Sequence, residues 1–286
     1  MALSCGKLKE AISHMPDARD ASSSVALVSS GILPRTAVIE ALPLQLLGRV
    51  GEAANLAEER LRRARESGHL FSLAMALELA AALCLIRRQL ETALSHAHGA
   101  IVLSEENGFA QRRAMAQSIH GAALTELGQL DRGVAELQQG IAVIEARGGP
   151  FRQLWIAYIA RCYSMMGRTD EAVSMLDEAL AHVERSGEKF WQAEMLRLKG
   201  EVLLVRDDAA ASAAEHCFRA ALDVARAQDA RWWELRTSVS LARLLRDTNR
   251  RDEARAILAE IYNWFTEGFE LSDLKEARAL LDELNA

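Results

Sequence analysis

The chain is poor in the residues that interrupt helices or build special sites: four prolines, four cysteines and 5% aromatic residues in 286 positions. So little proline leaves long stretches free of the strongest helix breaker, and the abundant Ala, Leu, Glu and Arg favour helix throughout. Cys5, Cys84, Cys162 and Cys217 stand singly, with no CxxC pair, which fits a reducing, cytoplasmic setting rather than a disulfide scaffold. There is no basic excess: the net charge of −6 argues against nucleic acid as the partner, since phosphate binding needs a clustered basic surface. Long apolar runs are also missing. The longest, residues 73–86, is interrupted by Glu78 and is too short to span a bilayer, so no membrane association is expected. Lys7 and Lys9 are followed by His14, Asp17, Arg19 and Asp20 where the apolar core of a secretion signal would stand.

What is present is repetition. Residues 153–187 read as a helical hairpin: apolar residues at Leu154, Ile156, Ala157, Ile159, Ala160 and Tyr163, then at Ala172, Val173, Leu176, Ala179, Leu180 and Val183, both at helical spacing. Gly167 breaks the pattern, Thr169 is a candidate cap, and Asp170 and Glu171 place negative charge on the first turn of the second helix. Small residues recur in the first helix at Ala81, Gly121, Ala160, Gly200 and Ala242, spaced by 40, 39, 40 and 42 residues. The second helix has its own small column at Ala53, Ala93, Gly133, Ala172, Ala214 and Ala254, followed four residues on by Ala57, Ala97, Leu137, Leu176, Phe218 and Leu258. Gly68, Gly108, Gly148 and Gly187 punctuate the helix ends. This small, small, large arrangement is the tetratricopeptide pattern, here stretched to about 40 residues from the usual ~34. It implies an all-α superhelical solenoid of antiparallel helix pairs, in which each hairpin buries its apolar face on the next.

The pattern divides the chain into three parts. Residues 1–43 are atypical or poorly ordered, with Ser22, Ser23, Ser24, Ser29, Ser30, Gly31 and Pro34, and with Pro43 expected to break a helix over 36–47. Residues 44–270 carry the repeats: a second helix over 48–67, then fuller hairpins over 70–107, 110–147, 151–186, 189–228 and 231–267, the fourth with about two extra residues in its 207–212 turn. Residues 271–286 form a capping helix with one apolar stripe, Leu271, Leu274, Ala277, Leu281 and Leu284, and Ser272 as its candidate cap.

Residues 188–204, 232–247 and 250–284, most distinctively YNWFTEGF at 262–269 followed by Asp273, Leu274, Lys275 and Glu276, resemble the C-terminal repeat region of large bacterial signalling proteins. In those, a class III adenylate or guanylate cyclase or a winged-helix domain precedes an AAA-type or signal-transduction ATPase and then tetratricopeptide repeats. The resemblance implies a regulatory repeat region, and it carries over no catalytic residue. No GxxxxGK[ST] phosphate loop occurs, and the region before the repeats is too short for a cyclase domain.

Candidate chemistry is sparse. No HExxH or GxSxG occurs, and His96 and His98 fall on different sides of one helix, so neither a metal, a cofactor nor a catalytic centre is expected. His69 and His182 lie near helix ends, where surface or capping roles are ordinary; Cys84 and Cys162 fall on the packing side. The aromatics Phe71, Phe151, Phe190, Trp191, Trp232 and Trp233 recur near the starts of first helices, as wedges between hairpins. First helices should line the concave face through Glu78 and Ala82, Ser118 and Ala122, Ala157 and Arg161, Arg197 and Glu201, and Val239 and Arg243. Its N-terminal half then reads small and neutral, whereas its C-terminal half carries Arg161, Arg197, Arg236 and Arg243 with Glu194 and Glu201 among them. A row of guanidiniums suits carboxylates on an acidic peptide or partner helix, although internal pairing to Glu194 and Glu201 would consume the same donors. The expected function is a non-catalytic domain that binds protein or peptide within a bacterial signalling system. The alternatives are an accessory subunit of a separately encoded cyclase or ATPase, and a truncated gene remnant.

Overall fold

The computed structural model describes residues 41–146, 152–206 and 210–286, and among them it contains helices and turns but no strand. The helices are α1 (Ala41–Leu46), α2 (Val50–Ser67), α3 (Leu70–Ile86), α4 (Leu90–Glu106), α5 (Ala110–Glu126), α6 (Leu130–Ala146), α7 (Arg152–Met165), α8 (Thr169–Ser186), α9 (Gln192–Arg206), α10 (Ala211–Ala227), α11 (Arg231–Asp247), α12 (Arg251–Tyr262) and α13 (Ser272–Asn285). A 3₁₀ turn over Lys189–Trp191 leads into α9. Five complete hairpins, α3–α4 to α11–α12, follow one another at the expected repeat. Residues 1–40, Gly148, Phe151 and positions 207–209 of the expected insertion lie outside the described residues, as does Cys5.

The turns repeat as closely as the helices. A left-handed residue reverses the chain after first helices at Arg88, Gly128, Gly167 and Asn249, and after second helices at Gly68, Gly108, Gly187 and Asp229. Helix starts differ from expectation. Thr169 and Ser272 are first helical residues, and the N-cap positions before them, Arg168 and Leu271, make no side-chain cap. At Arg168 a charged pair holds the start instead: its guanidinium donates to the Glu171 carboxylate at 2.6 and 2.8 Å. Arg49 to Glu52 and Arg250 to Glu253 repeat this N-cap to N3 pairing at α2 and α12. His69 caps α3, its ring nitrogen accepting from Ser72 N at 3.3 Å.

The small columns are the packing seams. Ala81, Ala160, Ala242, Ala53, Ala93, Ala172, Ala214 and Ala254 are wholly inaccessible to solvent. Helices α5 and α6 meet backbone to backbone, where a Cβ on Gly121 would stand 2.8 Å from the Gly133 carbonyl oxygen, and one on Gly133 2.8 Å from that of Gly121. Gly200 instead faces the Phe218 ring, whose Cδ1 would lie 2.8 Å from an added Cβ. The aromatics wedge hairpins together: Phe71 meets Phe109 edge-on, and Trp191 meets Trp233 with ring centroids 5.7 Å apart.

The ends of the array meet. Pro43 lies inside α1 without ending it, its carbonyl accepting from Leu47 N at 2.9 Å, and every α1 residue is buried. The helix is held by packing on α2, α3 and α11. The Trp264 ring lies over Gly48, which has φ +82°, so only a residue without Cβ fits there. Gly51 N donates to Glu267 Oε1 at 3.2 Å across 216 residues of chain. Helix α13 packs its buried Leu271, Leu274, Ala277, Leu280, Leu281 and Leu284 against α11 and α12.

Candidate functional site

Because first helices α3, α5, α7, α9 and α11 share the inner side and α13 bends back over it, their polar residues converge on one cavity of about 140 Å³. All six sequence candidates line it: Arg161, Glu194, Arg197, Glu201, Arg236 and Arg243. Four charged partners unrecognised from the sequence join them, Arg88 from the α3–α4 turn, Glu126 at the end of α5, and Asp273 and Glu276 on α13. The lining therefore holds five guanidiniums and five carboxylates and is formally neutral.

The guanidiniums do not stand as a row of open donors. Arg197 forks onto Glu194 with two bonds of 2.8 Å and also donates to Glu201 and, at 3.3 Å, to Ser240 Oγ. Arg236 donates to Asp273 Oδ2 at 3.0 and 3.2 Å, reaches Glu194 at 3.4 Å, and donates to the Ile86 carbonyl across the closure. These four residues form a buried alternating chain, with the Glu194 and Arg236 side chains only 4% and 10% exposed. Burial alone would raise the Glu194 carboxyl, but the guanidiniums of Arg197, Arg236 and Arg161 hold it below its usual range. Burial opposes the charge on Arg197 and Arg236 too, and their carboxylate partners override it, raising both. Burial pushes the Tyr158 hydroxyl, in the same wall, up to about 12, so it stays a neutral phenol.

The rim differs from the floor. Arg161 pairs with Glu126, and Arg243 and Arg88 share Glu276, Arg88 Nη1 at 2.6 Å. The Arg88 and Arg243 side chains remain 44% and 45% exposed. An adjoining cavity of about 430 Å³ shares Glu201, Ser240 and Arg243 with the first and is lined by Leu204, Phe218 and Leu244. Chemically, the site offers part-exposed guanidiniums beside a recess of mixed lining, in which Leu204, Phe218 and Leu244 adjoin Asp247 and Thr248.

The expected small, neutral half of the concave face is not open. Ser118, Ala122 and Ala157 are wholly buried, because hairpins lined by small residues close on one another. Glu78 is buried as well, with Arg112 Nη1 at 3.0 Å; burial, only partly offset by Arg112, pushes its carboxyl up to about 7. A larger groove of about 670 Å³ between α6, α7 and α8 is lined by Glu145, Arg152, Glu178 and Arg185 together with Ile156 and Tyr163. Burial raises the Cys84, Cys162 and Cys217 thiols, which disfavours them as nucleophiles. Among the described residues no group of three metal-ligating side chains occurs, and no helix is long and apolar enough to cross a membrane.

The partners the sequence reading missed were partly legible. Asp273 and Glu276 are three apart on one helical face, and Asp273 falls within the apolar stripe, where a carboxylate needs a buried partner. Arg88 and Glu126 carry no such signal, since turn and helix-end charges are ordinarily solvated.

Comparison with solved structures places this architecture among tetratricopeptide-like helical repeat proteins. The apo form of RapI matches with a TM-score of 0.60 at 14% identity, over 99% of this chain and 100% of that one. NprR in complex with its cognate peptide NprX matches with a TM-score of 0.64 at 14% identity, over 98% and 82% of the two chains. A tetratricopeptide repeat protein from Parabacteroides merdae matches with a TM-score of 0.57 at 15% identity, over 98% and 99%. No protein-family model matches the chain, and no curated protein matches it.

Proposed function

We propose that the chain is a non-catalytic repeat domain that binds a peptide or a protein segment, seated across the two adjoining cavities. The carrying observation is that Arg243, half exposed, stands in the wall common to the charged cavity and the adjoining recess, whose apolar part is Leu204, Phe218 and Leu244. A ligand that places a carboxylate at Arg243 and an apolar side chain over Leu204 and Leu244 satisfies both surfaces at once. The fold likeness to NprR, which is seen with the peptide NprX, agrees with this reading. The test is panning of the full chain against random peptides with free carboxyl termini, followed by calorimetry. Enriched peptides should pair an acidic group with a neighbouring apolar residue and lose affinity with added salt and on Arg243→Ala. Enriched peptides that bind Arg243→Ala equally well would remove the reading.

A second reading makes the chain a cytoplasmic accessory of a separately encoded nucleotide cyclase or ATPase. It is favoured by residues 250–284, whose resemblance to the repeat region of such bacterial signalling proteins covers the segment that closes the array. Turnover of a co-purifying cyclase or ATPase that changes on adding the chain supports it; unaltered turnover counts against it.

A further inference from the structure

We propose that Glu276 is an internal stand-in for a ligand carboxylate, and that the Arg88–Arg243 pair it bridges is a carboxylate site whose occupation from outside releases α13 from the α3–α4 turn. The inference rests on the reading that ligand enters this cavity, and it adds what the ligand displaces. One Glu276 oxygen accepts from Arg88 Nη1 at 2.6 Å and the other from Arg243 Nη2. Arg88 follows α3 and Arg243 lies on α11, so a single carboxylate on α13 ties guanidiniums from opposite ends of the chain.

Neutrality decides how an acidic ligand would bind. With five cations already matched by five anions, a further carboxylate gains little unless one of the resident carboxylates leaves. Glu194 and Asp273 are too deeply buried among Arg197 and Arg236 to be released. Glu201 is held by Arg197 on its own helix, so its release would open nothing. Glu126 joins Arg161 between neighbouring hairpins, away from the closure. Glu276 is 27% exposed, against 5% for Asp273 one turn earlier, and it alone of the five bridges two half-exposed arginines. Its departure removes one cross-end tie and leaves the longer Arg88–Asp273 ion pair at 3.8 Å, the Arg236 bond to the Ile86 carbonyl and the Gly51 bond to Glu267.

The backbone supports a role for Arg88 beyond filling a turn. Its φ is +58°, in a left-handed position that the next two hairpins occupy with Gly128 and Gly167. An L side chain is disfavoured there, and Arg88, unlike Asn249 in the last hairpin, places a guanidinium at the cavity mouth.

The test compares the wild-type full chain with Glu276→Gln and Arg88→Gln, using glutarate as a carboxylate probe and the neutral diamide of glutaric acid as control. Glu276→Gln should bind glutarate about tenfold more tightly, because two guanidiniums are left without their carboxylate. Amide hydrogen exchange should speed up in the α3–α4 turn and in α13 in that variant, and in wild type saturated with glutarate. Arg88→Gln should speed the same amides yet lose glutarate binding, which separates a carboxylate site from a merely structural bridge. Unchanged glutarate affinity in Glu276→Gln, or unchanged exchange in those two segments, overturns the proposal. Peptides enriched by panning while Glu276→Gln behaves as wild type would leave the binding reading standing and remove the latch; the converse result would do the reverse.

Discussion

The two halves of the inner surface are built from the same helical hairpins and end in opposite states. Along α3 and α5 the inward positions are small or singly paired, and glycines at 121, 133 and 140 let α5 and α6 meet backbone to backbone. Along α7, α9 and α11 the equivalent positions include Arg161, Arg197, Glu201 and Arg243, whose long side chains interlock through ion pairs around a charged cavity. Side-chain size and charge at a few repeated positions, not helix geometry, thus decide where a repeat array is solid and where it offers a site.

The largest effect should come from removing the element that only the charged half depends on. Deleting residues 271–286 strips six buried apolar residues and the two cavity carboxylates Asp273 and Glu276, each large apolar side chain worth about 1.5–3 kcal/mol of burial. Aggregation or a new oligomer is expected in size-exclusion chromatography; a monomer of unchanged melting temperature would show that α13 is not the lid of the array.

Within the charged half, floor and rim should separate. Glu194→Ala leaves Arg197 and Arg236 buried without their shared partner and should cost about 3–5 kcal/mol in urea unfolding. Arg161→Ala, at the part-exposed rim, should cost less than about 1 kcal/mol. Equal losses would erase the distinction. The same burial means that Arg197, read from the sequence as a donor to a ligand carboxylate, cannot be replaced without cost to folding.

Packing in the two halves can be compared through glycine. Gly200→Leu must displace the Phe218 ring and should destabilise by about 1–3 kcal/mol. Gly121→Leu meets backbone, which cannot turn aside as a ring can, and should lose more. Matching thermal shifts for the two would mean that the α5–α6 contact is no tighter than the rest.

The subtlest contrast is one of pH. The Glu78 carboxyl is raised from 4.5 to about 7 by burial, so the folded state binds its proton more tightly than the unfolded chain does. Its penalty is absent below about pH 4.5, grows as pH rises through the interval, and is complete above about pH 7, at roughly 2–3 kcal/mol. Glu78→Gln should therefore gain stability over wild type at pH 8 and lose that advantage near pH 5. A difference that does not change with pH would place the Glu78 charge in contact with water.

Much of the fold was legible because a repeat writes its packing into the sequence. Ala81, Gly121, Ala160, Gly200 and Ala242 all sit on buried seams, and the expected hairpin limits fall within a few residues of the helices. The same columns put Arg161, Arg197, Arg236 and Arg243 on one face, and the structure brings them together. Their availability was not legible. Glu126, Asp273 and Glu276 come from a helix end and from beyond the repeats, and nothing local marks them as counterions. The N-terminal closure escaped for a related reason: Pro43 reads as a helix breaker and Gly48 as an ordinary turn residue until Trp264 lies over it.

The sequence by itself determined the helices, their pairing and the inward face, because helical periodicity and small-residue columns act between neighbours in the chain. Only the tertiary structure decided that the array closes on itself, that the arginines are matched one for one by carboxylates, and that two of them, Arg88 and Arg243, remain half exposed behind a single bridging glutamate. Those outcomes depend on side chains up to 216 residues apart meeting across accumulated curvature, and curvature is a sum of small rotations per hairpin that no single repeat encodes.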